Sequence, residues 1–221
     1  MRDIINPLSL LGITKVLTSE DHKTITQGFI ADFFGLKAEL DQIHIVEPYS
    51  VDCLRRSFNP EFWKSHRMVK FDAAFTVDMP GTTHKLYVRR EPKLMEAAKL
   101  HVFGAAPDLD EGGPSVWSMN LANEPIFPDG HAHRWLTMEM EGVPDTPTSH
   151  LGFFELMKQD DESPVREQWR HFLVTGTIPS TAPEYLKEAV EVLEYSNLSP
   201  EETELAKETC AHVWNEADLD D

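Results

Sequence analysis

The most regular hydrophobic pattern in the chain lies at residues 69–78, where Val69, Phe71, Ala73, Phe75 and Val77 occupy the odd positions. A period of two is that of a half-buried strand, with Lys70, Asp72, Thr76 and Asp78 on its other face. Pro80-Gly81 is a turn pair and 85–90 resumes as a second strand, so the segment predicts a hairpin. Upstream, Thr18-x-x-Asp21 has the form of a capping box, and Ile25, Phe29, Ile30, Phe33 and Phe34 then fall on one helical face closed by Gly35. Residues 43–46 read as a short strand ended by Pro48, and 51–66 follow no clear period. Further on, a helix is predicted at 92–102 and strands at 114–121 and 135–140, while the apolar run 151–157 fits either type. The tail predicts three helices, at 164–174, 183–193 and 200–214, each with a proline near its first turn. The mixture points to an α/β core over residues 1–160 and a helical C-terminal extension over 161–221.

Composition sharpens this picture on one point, charge. The 221 residues hold 20 basic and 38 acidic side chains, a net charge of −18. A nucleic-acid surface draws affinity from neutralised phosphates, so this balance opposes broad DNA binding. The acidity is uneven, with 17 acidic and 5 basic residues from Glu155 to Asp221. A local basic cleft around Arg55, Arg56, Lys64, Arg67 and Lys70, flanked by Phe58 and Trp63, competes with the simpler reading of a solvated charged loop. No apolar run reaches the roughly 18 residues that cross a bilayer, and the N-terminus lacks a secretory pattern. Cys53 and Cys210 match no metal spacing, which fits a reducing cytoplasm.

The hairpin permits a geometric inference. A loop centred on Pro80-Gly81 pairs Met79 with Thr82, and the same register sets Asp72 opposite Arg89 and Lys70 opposite Glu91. Asp72, Tyr87, Arg89 and Glu91 then share one face. Directly opposed Cβ atoms lie about 5 Å apart, close enough for an Asp72–Arg89 ion pair.

An acidic residue on one strand followed by acid-x-Lys or acid-x-Gln on the next resembles the PD-(D/E)XK nucleases. The closer resemblance is to their branch of transposases and recombination-promoting nucleases, whose second strand reads Ile-Glu-Met-Gln. Residues 3–12 look like that branch's opening block, and Phe29-Ile30-Ala31-Asp32-Phe33-Phe34-Gly35 is similar to the end of its first helix. Leu151-Gly152-Phe153-Phe154-Glu155-Leu156-Met157-Lys158 resembles a later block ending Glu-Leu-x-Lys. Trp169-x-x-Phe172-Leu173, Glu188-Ala189 and Leu198-Ser199-Pro200-Glu201-Glu202 are similar to its C-terminal helices. The resemblance implies a restriction-endonuclease-like mixed sheet flanked by helices. It also implies Mg²⁺ as cofactor if the site is active, and DNA as substrate. Asp72 takes the place of the first metal ligand, and Val88-Arg89-Arg90-Glu91 that of Ile-Glu-Met-Gln. Arg89 therefore stands at the second ligand's position and Glu91 at that of the Gln or Lys. The chain also departs from the branch at Asn6-Pro7, where Phe-Lys is expected, and at Met95-Glu96-Ala97-Ala98-Lys99, where an Arg- and Tyr-rich helix is expected.

The exchange at Arg89 is physically severe. A carboxylate about 4 Å from a dication gains roughly 8 kcal/mol at an effective dielectric near 20, and an arginine loses a similar amount. Glu91 lies about 6.7 Å further along the strand, so it could compensate only by moving the site, with Asp72 and Glu91 as the metal ligands. Three functions follow as expectations. The first is a nuclease-like protein with impaired or lost phosphodiesterase activity that binds a protein or nucleic-acid partner. The second is an active Mg²⁺-dependent endonuclease using Asp72 and Glu91, and the third is a structural module with no nucleic-acid role. His131-x-His133 with His150 lacks a further ligand at zinc spacing and reads as loop histidines. Trp117, Trp135, Trp169 and Trp214 read as core or interface anchors.

Overall fold

The computed structural model describes residues 4–57, 72–90, 115–138 and 149–216. Within them, six strands form one mixed sheet in the order β1-β2-β3-β4-β6-β5: β1 (Ile43–Ile45), β2 (Ala73–Met79), β3 (Thr82–Arg90), β4 (Ser115–Ala122), β5 (His133–Met138) and β6 (Ser149–Glu155). The β1–β2, β2–β3 and β5–β6 pairs are antiparallel, while β3–β4 and β4–β6 are parallel. The α/β class with a mixed sheet and C-terminal helices is thus present. The predicted helix at 92–102 and most of the basic cleft fall outside the described residues.

The hairpin forms where the alternation places it. Met79 pairs with Thr82 and the register continues through Ala73 and Val88, with Gly81 at φ 85° closing the turn as only glycine does without strain. Ala73, Phe75, Val77, Leu86, Val88, Met119, Leu121 and Phe154 line one sheet face and join a single apolar core. Helices α1 (Leu10–Thr18) and α2 (Lys23–Phe29), with the π-helical turn Ile30–Phe34, bring Leu11, Ile13, Leu17, Ile25, Phe29 and Phe33 to the same core. The tail helices are α4 (Pro164–Thr175), α5 (Glu184–Val192) and α6 (Pro200–Glu216). They contribute Trp169, Phe172, Leu186, Val190 and Leu205 to that core, which spans both the predicted core and the predicted extension.

One local expectation is corrected and three open stretches are settled. The capping box at Thr18 is absent: Thr18 ends α1 and its hydroxyl turns back to Thr14 O, while a 3₁₀ turn at Glu20–His22 precedes α2. Helix α1 was not expected at all. Ser9 caps it by accepting from Gly12 N, a start signal hidden by the absence of acidic residues in its first turn. The irregular stretch begins as helix α3 (Val51–Ser57), and the ambiguous apolar run is strand β6. The expected helix end at Gly35 stands, with φ 69° in the left-handed region.

Candidate metal centre

The residues singled out for chemistry lie at the open end of the β2–β3 hairpin, and the ladder changes there. Asp72 N donates to Val88 O at 2.9 Å, while the next residue, Ala73, is also registered on Val88. Two residues facing one is the geometry of a β-bulge, which upsets side-chain alternation at that step. The carboxylate of Asp72 therefore meets Arg90 and not Arg89. Its Oδ2 accepts the main-chain N–H of Arg90 at 2.7 Å, and its Oδ1 accepts Nη2 of the same residue at 3.0 Å. Arg90 Nη1 also donates to Leu8 O, in the turn before α1. The expected Asp72–Arg89 ion pair is replaced by Asp72–Arg90, which ties the hairpin to the N-terminal turn.

The environment makes this pairing consequential. Asp72 is 8% exposed, so its charge depends on the partners it has inside the protein. Arg89 is half-buried beside Asn120 of β4, and alternation sets it on the sheet face of Lys85 and Tyr87. Glu91 lies outside the described residues, so its predicted role as the second ligand is not placed.

Mg²⁺ needs carboxylate oxygens at about 2.0–2.1 Å in near-octahedral array. Both Asp72 oxygens already accept hydrogen bonds from Arg90, and the guanidinium contact fixes a cation in the ion's first or second shell. A dication and a guanidinium about 4.5 Å apart repel by roughly 7 kcal/mol at an effective dielectric near 20. The described residues do not fit a divalent ion at Asp72. Among them, no group of three or more His, Cys, Asp or Glu side chains is arranged to hold a metal. Of the basic cleft, the Arg55 side chain is described, and it pairs with Glu204 of α6 at 3.8 Å.

The remaining candidates divide. His131 is an exposed loop residue bound to Glu162, as expected, but His133 and His150 sit in β5 and β6 and were wrongly expected in loops. Trp169 is fully buried and its Nε1 donates to Asp32, which also accepts from Tyr185. Sequence reasoning missed Arg90, whose signal was the neighbouring arginine in Arg89-Arg90. It also missed Glu155 as a buried hub. That carboxylate is fully buried and accepts from the main-chain N–H groups of Ile126 and Phe127 and from Lys158 Nζ, fixing the β4–β5 connection. No family model, curated protein or solved structure matches the chain.

Proposed function

We propose that this protein is a PD-(D/E)XK nuclease-like scaffold whose metal-dependent phosphodiesterase activity is lost, and that it acts as a binding or interaction protein. The observation that carries the reading is the use of Asp72. Its carboxylate accepts both the main-chain N–H and the guanidinium of Arg90. In the resembled nucleases the corresponding carboxylate serves the metal. Here the protein's own cation neutralises it, and the same cation braces the turn before α1. The resemblance gives Arg89 the position of the other metal carboxylate, while alternation turns it to the sheet face opposite Arg90 and the Asp72 carboxylate. The mixed sheet with helices and the hairpin register support the scaffold part of the reading. The net charge of −18 favours a protein partner over DNA.

The test is a cleavage assay on supercoiled and linear DNA with Mg²⁺ and with Mn²⁺, run beside Asp72→Ala. The expected result is no metal-dependent cleavage by either protein. Cleavage that needs the metal and disappears in Asp72→Ala would restore the alternative, an active endonuclease using Asp72 and Glu91.

A further inference from the structure

Away from the hairpin end, the core face of the sheet carries a cluster of imidazoles and indoles from four strands. Trp117 of β4 stacks on His150 of β6 with ring centroids 3.7 Å apart, and meets Trp135 of β5 edge-on at 5.2 Å. His84 of β3 lies 6.2 Å from Trp117, and His133 of β5 lies 6.0 Å from Trp135. Phe33 and Phe34 of the π-helical turn cover the group, at 6.2 Å from His133 and 5.6 Å from Trp135. Gly152 makes the packing possible, because a Cβ there would lie 2.6 Å from the Trp135 ring.

The imidazoles are poorly provided with hydrogen bonds. His84 Nδ1 and His133 Nε2 are buried with no partner, and His150 Nδ1 meets the Thr137 hydroxyl at 3.2 Å. A neutral ring tolerates one bare nitrogen, whereas an imidazolium needs two acceptors or water. Burial lowers all three pKa values, and His133 falls from its ordinary 6.5 to about 4. Arg166 of α4 adds to the effect at His133, while Asp160 and Glu162 before that helix oppose it. His84 and His150 repel one another's protons. On the π-helical turn the nearest acid is Asp32, itself bound to Trp169 and Tyr185.

The position of the cluster decides what opens. Among the described residues β5 is an edge strand of the six-stranded sheet, paired with β6 alone. An edge strand held by one ladder and by aromatic packing is cheaper to release than a strand paired on both sides. We infer that this imidazole–indole cluster is an acid-sensitive latch: in mildly acid solution, protonation of His133, His84 and His150 releases β5 from β6 and from the π-helical turn while the β2–β3 hairpin stays paired.

The sign follows from linkage. These groups are harder to protonate in the closed state, so the latch is strongest above the ordinary value of 6.5 and weakens as pH falls towards about 4. One such group changes the opening constant by up to about tenfold per pH unit in that window.

Hydrogen exchange read by mass spectrometry, corrected for the intrinsic pH dependence of exchange, tests this on the full chain. Between pH 7 and pH 5 the peptides covering β5 are expected to lose about tenfold or more in protection, with β2–β3 unchanged. The triple variant His84→Gln, His133→Gln, His150→Gln is expected to lose that pH dependence. Uniform loss across the sheet, no loss at all, or a loss that persists in the triple variant would overturn the proposal. If the triple variant does not fold, NMR titration of the native histidines decides the matter. His133 titrating near its ordinary value with β5 still protected contradicts the latch, and titration only as β5 opens supports it.

Discussion

Replacing Arg90 by alanine strands a carboxylate that the fold keeps 8% exposed. At the observed 3.0 Å, an ion pair is worth about 5–6 kcal/mol of direct attraction at an effective dielectric near 20. Much of that is offset by desolvation, and the Arg90 side chain is still 25% exposed. The net loss expected for Arg90→Ala is therefore about 2–4 kcal/mol. The main-chain N–H of Arg90 remains on Asp72 Oδ2 in every such variant, so the substitution isolates the guanidinium. Some of the loss belongs to Leu8 O, which gives up a donor. A double-mutant cycle with Asp72→Ala separates the two, and the coupling between residues 72 and 90 is expected at about 2 kcal/mol. Urea denaturation reads it directly: with a slope of about 2–3 kcal/mol/M, Arg90→Ala lowers the midpoint by about 1 M. A coupling below about 0.5 kcal/mol, within the usual additivity error, would refute the reasoning. So would an Asp72→Ala variant more stable than the parent, which is the behaviour of a carboxylate kept for function at the expense of stability.

Other perturbations have equally definite outcomes. Glu155→Ala removes the acceptor of two main-chain N–H groups and leaves Lys158 with a half-buried charge, so a loss of about 3–5 kcal/mol is expected in urea denaturation; Glu155→Gln, which keeps an acceptor, should lose less. Gly28→Ala gains up to about 1 kcal/mol of helix propensity, yet its Cβ would lie 2.6 Å from the Tyr185 ring. Overpacking of about 1–3 kcal/mol wins, and a lowered Tm is expected that Tyr185→Leu in the same chain partly restores. Burial works against the Glu202 carboxylate, but bonds from Lys15, Tyr49 and Ser199 outweigh it and hold its pKa below the ordinary 4.5. That stability is present above pH 4.5 and is lost as the pH falls below it. Tyr49→Phe should therefore cost about 1 kcal/mol at neutral pH and narrow the difference in stability between neutral and acid solution.

The sheet was legible wherever one face was apolar and the other polar. β2 and β3 alternate strictly enough that the register from Met79–Thr82 to Ala73–Val88 follows from the Pro80-Gly81 turn alone. β6 resisted because Leu151, Phe153 and Phe154 are buried on both faces, which leaves no period to read. Helix α1 was hidden for a related reason: Leu10, Leu11, Ile13, Val16 and Leu17 are all buried, so no polar stripe marks a face. The tail helices, with proline starts and one apolar side each, were plain.

The hairpin register was legible down to its last residue pair and then failed by one position. Register arithmetic assumes an unbroken ladder, and the bulge at Asp72 adds a residue where the chemistry was expected. Nothing in a run of alternating residues announces such a bulge. The expectation that an arginine neutralises Asp72 survives with Arg90 in the role given to Arg89. The histidines failed differently. His131, His133 and His150 were read from a loop motif, while the strand positions of His133 and His150 come from pairing with each other's strands across β5 and β6.

Binding of Mn²⁺, followed by titration calorimetry and by electron paramagnetic resonance on the parent and on Asp72→Ala, tests the central claim most directly. With Arg90 on both Asp72 oxygens, the parent is expected to hold no ion in the micromolar to millimolar range that Asp72→Ala then loses. One Mn²⁺ per chain in the parent, absent from Asp72→Ala, would contradict the account.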